Sequence, residues 1–172
     1  NQLIKIVSSN DFHIYPKSAV KRKVYKEWYR EDRKLQREYE VVPLQHPDAE
    51  FVAFAKGAFG EGAERIAFRF LELAKDKKTI LGVPMVAKES RLILGDSNGV
   101  GDEQERKKFV KVFCSTQQLA RRLAMEFNAK LDKIPAVHAK TPRVAFLDCS
   151  IYEINNISCG TSSVLVEEKL DH

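Results

Sequence analysis

Phe59-Gly60-Glu61-Gly62-Ala63-Glu64-Arg65-Ile66-Ala67-Phe68-Arg69-Phe70-Leu71, followed by Asp76-Lys77-Lys78 and then Thr79 to Glu89, decides the fold. From Arg65 to Leu71 the residues alternate, with Ile66, Phe68 and Phe70 on one face, which predicts a half-buried strand. Asp76-Lys77-Lys78 supplies the turn, and Thr79 to Glu89 is the returning strand. Residues 50–56 predict a short strand, and Gly57 to Gly62 a flexible, glycine-bearing loop at the entrance of the hairpin. Glycines let a backbone approach a ligand closely and aim N–H groups at phosphate oxygens. No helix follows the glycines, which excludes a dinucleotide fingerprint, and no G-K-S/T follows, which excludes a Walker loop.

The returning strand carries Val86-Ala87-Lys88. A lysine in an otherwise apolar strand is costly unless its ammonium meets an anion or water. A lone G-x-G is most often an ordinary turn, and a lone hairpin lysine most often solvated. Together they set a cation beneath a loop suited to phosphate, the arrangement that phosphoryl transfer requires.

Outward from the hairpin, residues 16–40 read as a long basic helix. Pro16 suits its first turn, and Val20, Val24 and Trp28 recur every four residues. Val41-Val42-Pro43 ends it, and Gln45-His46-Pro47-Asp48 reads as a turn. Residues 95–106 read as a polar loop. Ser115 starts a second helix, with Gln118 as its capping-box partner and Leu119, Ala120, Leu123, Ala124 and Phe127 as its apolar stripe. Arg143 to Ile154 and Thr161 to Glu167 read as strands around a turn at Asn155 to Gly160. The expected class is α+β: an antiparallel sheet with a long N-terminal helix and a second helix packed on it. Residues 1–49 form the basic helical segment and residues 50–172 the sheet-bearing domain.

Composition bounds the function. The chain has 172 residues, 44% hydrophobic and 31% charged, with a net charge of +5. No apolar run reaches the roughly 18–20 residues that span a bilayer, and the N-terminus lacks a signal-peptide pattern. Cys114, Cys149 and Cys159 fit neither a disulfide framework nor a zinc knuckle, and His13, His46, His138 and His172 are scattered. A reducing, cytoplasmic setting without a metal site in these residues is expected. Between Lys17 and Arg37 nine Lys and Arg face only Glu27, Glu31 and Asp32, so the rest of the chain is close to neutral. So local a charge disfavours a general nucleic-acid surface, although Tyr25, Trp28 and Tyr29 among those cations leave a basic-helix RNA or acidic-partner module as an alternative.

Phe59 to Phe68 resembles the F-x-x-G-A-x-R-x-x-F/Y signature of alpha-kinases, the atypical serine/threonine protein kinases. Val86-Ala87-Lys88 is similar to their nucleotide-binding lysine strand. Gln117-Gln118-Leu119-Ala120 through Glu126-Phe127-Asn128 resembles their Q-x-x-A helix, Val144 to Asp148 the strand that follows, and Val164-Leu165-Val166-Glu167 their hinge. The order holds from about residue 50 to 170. The resemblance implies a kinase-like N-terminal lobe. Arg65 and Lys88 would contact ATP phosphates, Gly60 and Gly62 would shape the phosphate loop, and the backbones of Glu167 and Leu170 would bind the adenine edge. Glu126 is a candidate partner for Lys88. The family's later G-x-F/Y-x-K stretch, its D-x-Q-G-x-G carboxylates for Mg²⁺ and catalysis, and its zinc cluster are not among these residues. The expectation is therefore an ATP-binding lobe without catalytic residues of its own, inactive alone. A C-terminal lobe on the rest of the chain or on a separate chain would complete it, and a protein hydroxyl would be the acceptor. A nucleotide-binding pseudokinase or regulatory module is the other alternative.

Overall fold

The computed structural model describes residues 10–91, 103–135, 141–156 and 160–170. The strands are β1 (Phe12–Pro16), β2 (Val20–Tyr29), β3 (Leu35–Val42), β4 (Phe51–Glu61), β5 (Arg65–Leu73), β6 (Ile80–Ser90), β7 (Cys149–Asn156) and β8 (Gly160–Glu168). A 3-10 turn, Lys17–Ala19, joins β1 to β2, and the one α-helix among the described residues, α1, is Glu103–Leu131. All eight strands form a single sheet in the order β1-β4-β5-β6-β8-β7-β2-β3, every neighbour antiparallel. Strands from both sides of the expected boundary at residue 49 thus share one sheet.

The expected N-terminal helix is a correction. Residues 20–42 form the β2–β3 hairpin, with Tyr25 opposite Tyr39 and Glu27 opposite Arg37. Val20, Val24 and Trp28 are four apart, which satisfies a period of two as well as one of 3.6, and Val, Tyr and Trp favour the pleated surface. A turn decides the matter. Arg33 takes φ 59, in the left-handed region that no helix interior allows. Arg33 N–H donates to the Arg30 carbonyl at 2.8 Å, and the Asp32 carboxylate accepts the Lys34 N–H at 3.0 Å. Pro16 ends β1, an edge strand with no sequence expectation behind it, paired to β4 through Ile14 and Ala53.

Three further boundaries differ. The glycine stretch is no separate loop: β4 runs through Gly57 and Gly60 to Glu61, with irregular register between Phe54 and Gly60. Ser115 does not start a helix. It lies inside α1, its hydroxyl donating back to the Val112 carbonyl at 3.0 Å, and Glu103 to Arg106 of the expected loop are the first turn. Residues 95–102 of that loop lie outside the described residues, as do residues 157–159 of the turn before β8. Finally, β7 opens at Cys149. From Thr141 to Asp148 the chain is irregular and follows α1, whose amides replace a strand partner. Asn128 donates to the Val144 carbonyl at 2.7 Å and accepts its N–H at 3.1 Å.

The sheet curls on itself. β5 and β7 are three places apart, about 14 Å in a flat sheet, yet the Phe70 and Tyr152 rings meet edge-on at 4.8 Å. The concave face is lined by Val52, Phe70, Met85, Ala87, Val164 and Val166. Glu72, a buried carboxylate in this fold, accepts the Tyr152 hydroxyl at 2.8 Å and the Gln45 and His46 N–H groups at 2.8 and 2.7 Å. It pins the Gln45–Asp48 turn, which lies where expected. The Asp76-Lys77-Lys78 turn also stands: the Asp76 carboxylate accepts Lys78 N–H, Thr79 N–H and the Thr79 hydroxyl.

α1 packs on the opposite face. Val110 and Cys114, flanked by Phe109 and Phe113, meet Cys149, Ile151 and Leu165. Of the expected stripe Ala124 is buried, while Leu119, Leu123 and Phe127 are exposed and stand outside this seam.

Candidate functional site

Cross-strand partners share a face, as do residues two apart on one strand. Lys88 lies opposite Ala67 on β5 and Leu165 on β8, and Arg65 lies opposite Ser90. Arg65 and Lys88 therefore point to the α1 side as diagonal neighbours, about 7–8 Å apart along the backbone. Glu167, opposite Val86 on β6 and Cys149 on β7, belongs to the same face.

Lys88 forms an ion pair with Glu167, their side chains 26% and 7% exposed. The second Glu167 oxygen accepts from the Gln117 amide at 2.9 Å, and the same amide donates to the Leu147 carbonyl at 3.0 Å. One chain of contacts thus ties β6 to β8 and β8 to α1. Glu126, the candidate partner, is an exposed residue of α1, and the carboxylate beside Lys88 is that of Glu167. Sequence reasoning missed the Glu167 side chain and Gln117. The signal for the seam was Phe109, Val110, Phe113, Cys114 and Gln117 at helical spacing, starting ahead of Ser115.

Arg65 is half-buried with its guanidinium carbon 4.8 Å from the centre of the Phe113 ring. Among the described residues it has no carboxylate partner, and the aromatic ring supports one plane of its guanidinium. Gly60 pairs with Ala67 at the end of β4, and Gly62 N–H donates to the Arg65 carbonyl at 2.8 Å to close the β4–β5 turn. Neither glycine is required by the fold: a Cβ added at Gly60 or Gly62 would meet only ordinary contacts at 3.7 Å.

The hinge positions separate into two kinds. The Lys169 N–H donates to the Pro84 carbonyl at 2.9 Å. Antiparallel ladders alternate hydrogen-bonded and non-bonded pairs, so Val86 and Glu167 are the next bonded pair and the Glu167 peptide faces β6. Leu170 lies past this last rung, its side chain exposed.

Two candidates for other chemistry are accounted for. Asp148 accepts from the Gln118 amide at 2.6 Å and its own neighbour's N–H at 2.9 Å, an anchor for α1. Much of the basic stretch is paired within the fold: Lys23 with Glu153, Lys26 with Glu40, Arg37 with Glu27.

A comparison with family profiles matches residues 60–172 to the alpha-kinase family. The chain belongs to the alpha-kinase family. The match spans well over half of the chain, beginning at Gly60 and leaving β1–β3 and most of β4 outside it. A comparison with curated proteins gave no significant match. Alpha-kinase membership carries kinase-type chemistry, and kinases in general use ATP with Mg²⁺. The residues present suit the phosphates of a nucleotide: two cations on one face, one of them without an acidic partner among the described residues, beside a turn whose glycines the fold does not need. They do not supply a metal site, since no group of three His, Cys, Asp or Glu side chains among the described residues is placed to hold one. No helix among them is long and apolar enough to cross a membrane.

Proposed function

We propose that this alpha-kinase chain is the ATP-holding, N-terminal-lobe part of a serine/threonine protein kinase. The carrying observation is the pairing of Arg65 and Lys88 on one sheet face beside the Gly60–Gly62 turn. ATP, when bound, supplies the phosphoryl group that goes to a protein hydroxyl. Arg65, stacked on Phe113, grips phosphate oxygens with a fixed fork of donors. Lys88, held in place by Glu167, adds a point charge that neutralises the same phosphates. The Gly60–Gly62 turn lets backbone N–H groups approach them. Leu170, past the last rung of the β6–β8 ladder, offers its peptide to the adenine edge, whereas the Glu167 N–H is engaged with Val86 and Glu167 can add only the second lone pair of its carbonyl. Glu167 and Gln117 act through Lys88 and are positioning residues. No residue of this chain is assigned to Mg²⁺ or to deprotonation of the acceptor. ATP use and three cysteines without a disulfide pattern suit a cytoplasmic setting.

Calorimetric titration with ATP, ADP and adenosine tests the reading. The phosphates should dominate, with adenosine at least tenfold weaker than ATP, about 1.4 kcal/mol, and Arg65→Ala should remove most of that difference. Equal affinity for ATP and adenosine would sink the assignment of these cations to phosphate.

A further inference from the structure

Away from the cations, the seam between α1 and the sheet holds two sulfur atoms that the nucleotide reading does not use. Cys114 sits in mid-helix and Cys149 opens β7, yet their Sγ atoms are 3.8 Å apart. Both are free and buried. A disulfide needs about 2.05 Å between sulfurs, which leaves about 1.8 Å to close by side-chain rotation and a small shift of the helix. The Gln118 amide on the next turn of α1 donates to the Cys149 carbonyl at 3.1 Å and reaches its sulfur at 3.7 Å, so the two elements are already tied at this point.

We infer that Cys114 and Cys149 are a site of reversible oxidation, forming a disulfide that clamps α1 to β7 when a peroxide reaches them. The hydrogen bond between the thiols holds Cys114 below the ordinary thiol range. The same bond, with burial, pushes Cys149 above it. Cys114 is therefore the attacking sulfur and Cys149 the resolving one. The Cys114 thiolate attacks the peroxide, the O–O bond breaks, and a sulfenic acid and hydroxide form. The Cys149 sulfur then attacks the sulfenic sulfur, its proton leaves with the departing hydroxyl as water, and the S–S bond closes. In sum two thiols and one hydrogen peroxide give one disulfide and two waters. Burial makes entry slow, through local opening of the seam. Once the sulfenic acid exists, the neighbouring thiol outcompetes a second peroxide and spares the sulfur from irreversible oxidation. The clamp stands beside Glu167, the cross-strand partner of Cys149, so it also fixes the turn of α1 that carries Gln117.

The test takes the reduced full chain, treats it with hydrogen peroxide, alkylates it and maps peptides by mass spectrometry. The expected product is a Cys114–Cys149 linked peptide, lost on treatment with dithiothreitol, with Cys159 still alkylated. The oxidised chain should melt about 5–10 °C above the reduced one. Cys114→Ala and Cys149→Ala should each remove the link and the shift; Cys149→Ala should leave Cys114 as a sulfenic or sulfinic acid, and Cys114→Ala should leave Cys149 as an alkylated thiol. Two alkylated thiols after peroxide, or links only to Cys159 or between chains, would overturn the inference on the unmutated protein, whether or not the variants fold.

Discussion

Lys88→Met removes the ammonium and keeps most of the side-chain volume. It leaves Glu167, whose side chain is only 7% exposed, with Gln117 as its single donor. Stripping one partner from a buried ion pair costs about 3–5 kcal/mol. Lys88 is 26% exposed, so water relieves part of this, and about 2–3 kcal/mol is expected here. For a chain of this size that is a fall of about 4–12 °C in melting temperature. Glu167→Gln in the same chain removes the stranded charge and keeps a partner for Gln117, so at least half of the loss should return. Thermal and urea unfolding of the wild type, both single variants and the double variant measure the coupling directly. A Lys88→Met chain that melts with the wild type would refute the ion-pair reasoning. So would a double variant no more stable than Lys88→Met. A folded double variant also gives a clean reagent, because loss of nucleotide binding in it is not loss of fold.

Gly60→Ala should leave the melting temperature within about 2 °C of the wild type, since its Cβ meets only ordinary contacts, while ATP affinity falls about tenfold; calorimetry and melting on one sample check both. Glu89 is half-buried in a small cavity with His13, Tyr15 and Ser162, and burial raises its pKa against the weaker pull of Arg106. Ionised Glu89 therefore weakens the fold above the ordinary carboxylate range, so Glu89→Gln should stabilise the chain at pH 7 and match the wild type below pH 4.5, its ordinary value; unfolding across pH decides it. Asp76 behaves oppositely, because the Thr79 hydroxyl and N–H and the Lys78 N–H hold its pKa down to about 2. Its contribution is present above 3.8 and is lost as pH falls toward 2, so Asp76→Ala should be less stable than the wild type at pH 7 and equal to it at the acid end.

What the residues disclosed, and what they hid, follows from how local each signal is. The β5–β6 hairpin was legible because Ile66, Phe68 and Phe70 alternate and Asp76 marks the turn. The β2–β3 hairpin was not, because spacing by four serves helix and strand alike and Arg33 gives no sign of a left-handed backbone. α1 was found twelve residues late. Its core seam begins at Phe109, ahead of Ser115, whose capping-box pattern drew the start to the wrong place. At the site, Arg65, Lys88, Gly60 and Gly62 stand out by type and position. The partner of Lys88 does not, because Glu167 is distant in sequence and meets it only through the β6–β8 register. The same holds for Cys114 and Cys149, which no spacing rule connects.

The proposed role of Lys88 and Arg65 together is to hold the phosphates of ATP. It is tested most directly by titrating ATP into the wild type, Arg65→Ala and the Lys88→Met/Glu167→Gln double variant under conditions where all three are folded. Saturable binding to the wild type and at least about tenfold weaker binding to each variant is the predicted result. Unchanged affinity in both variants, or no binding by the folded wild type, would contradict it.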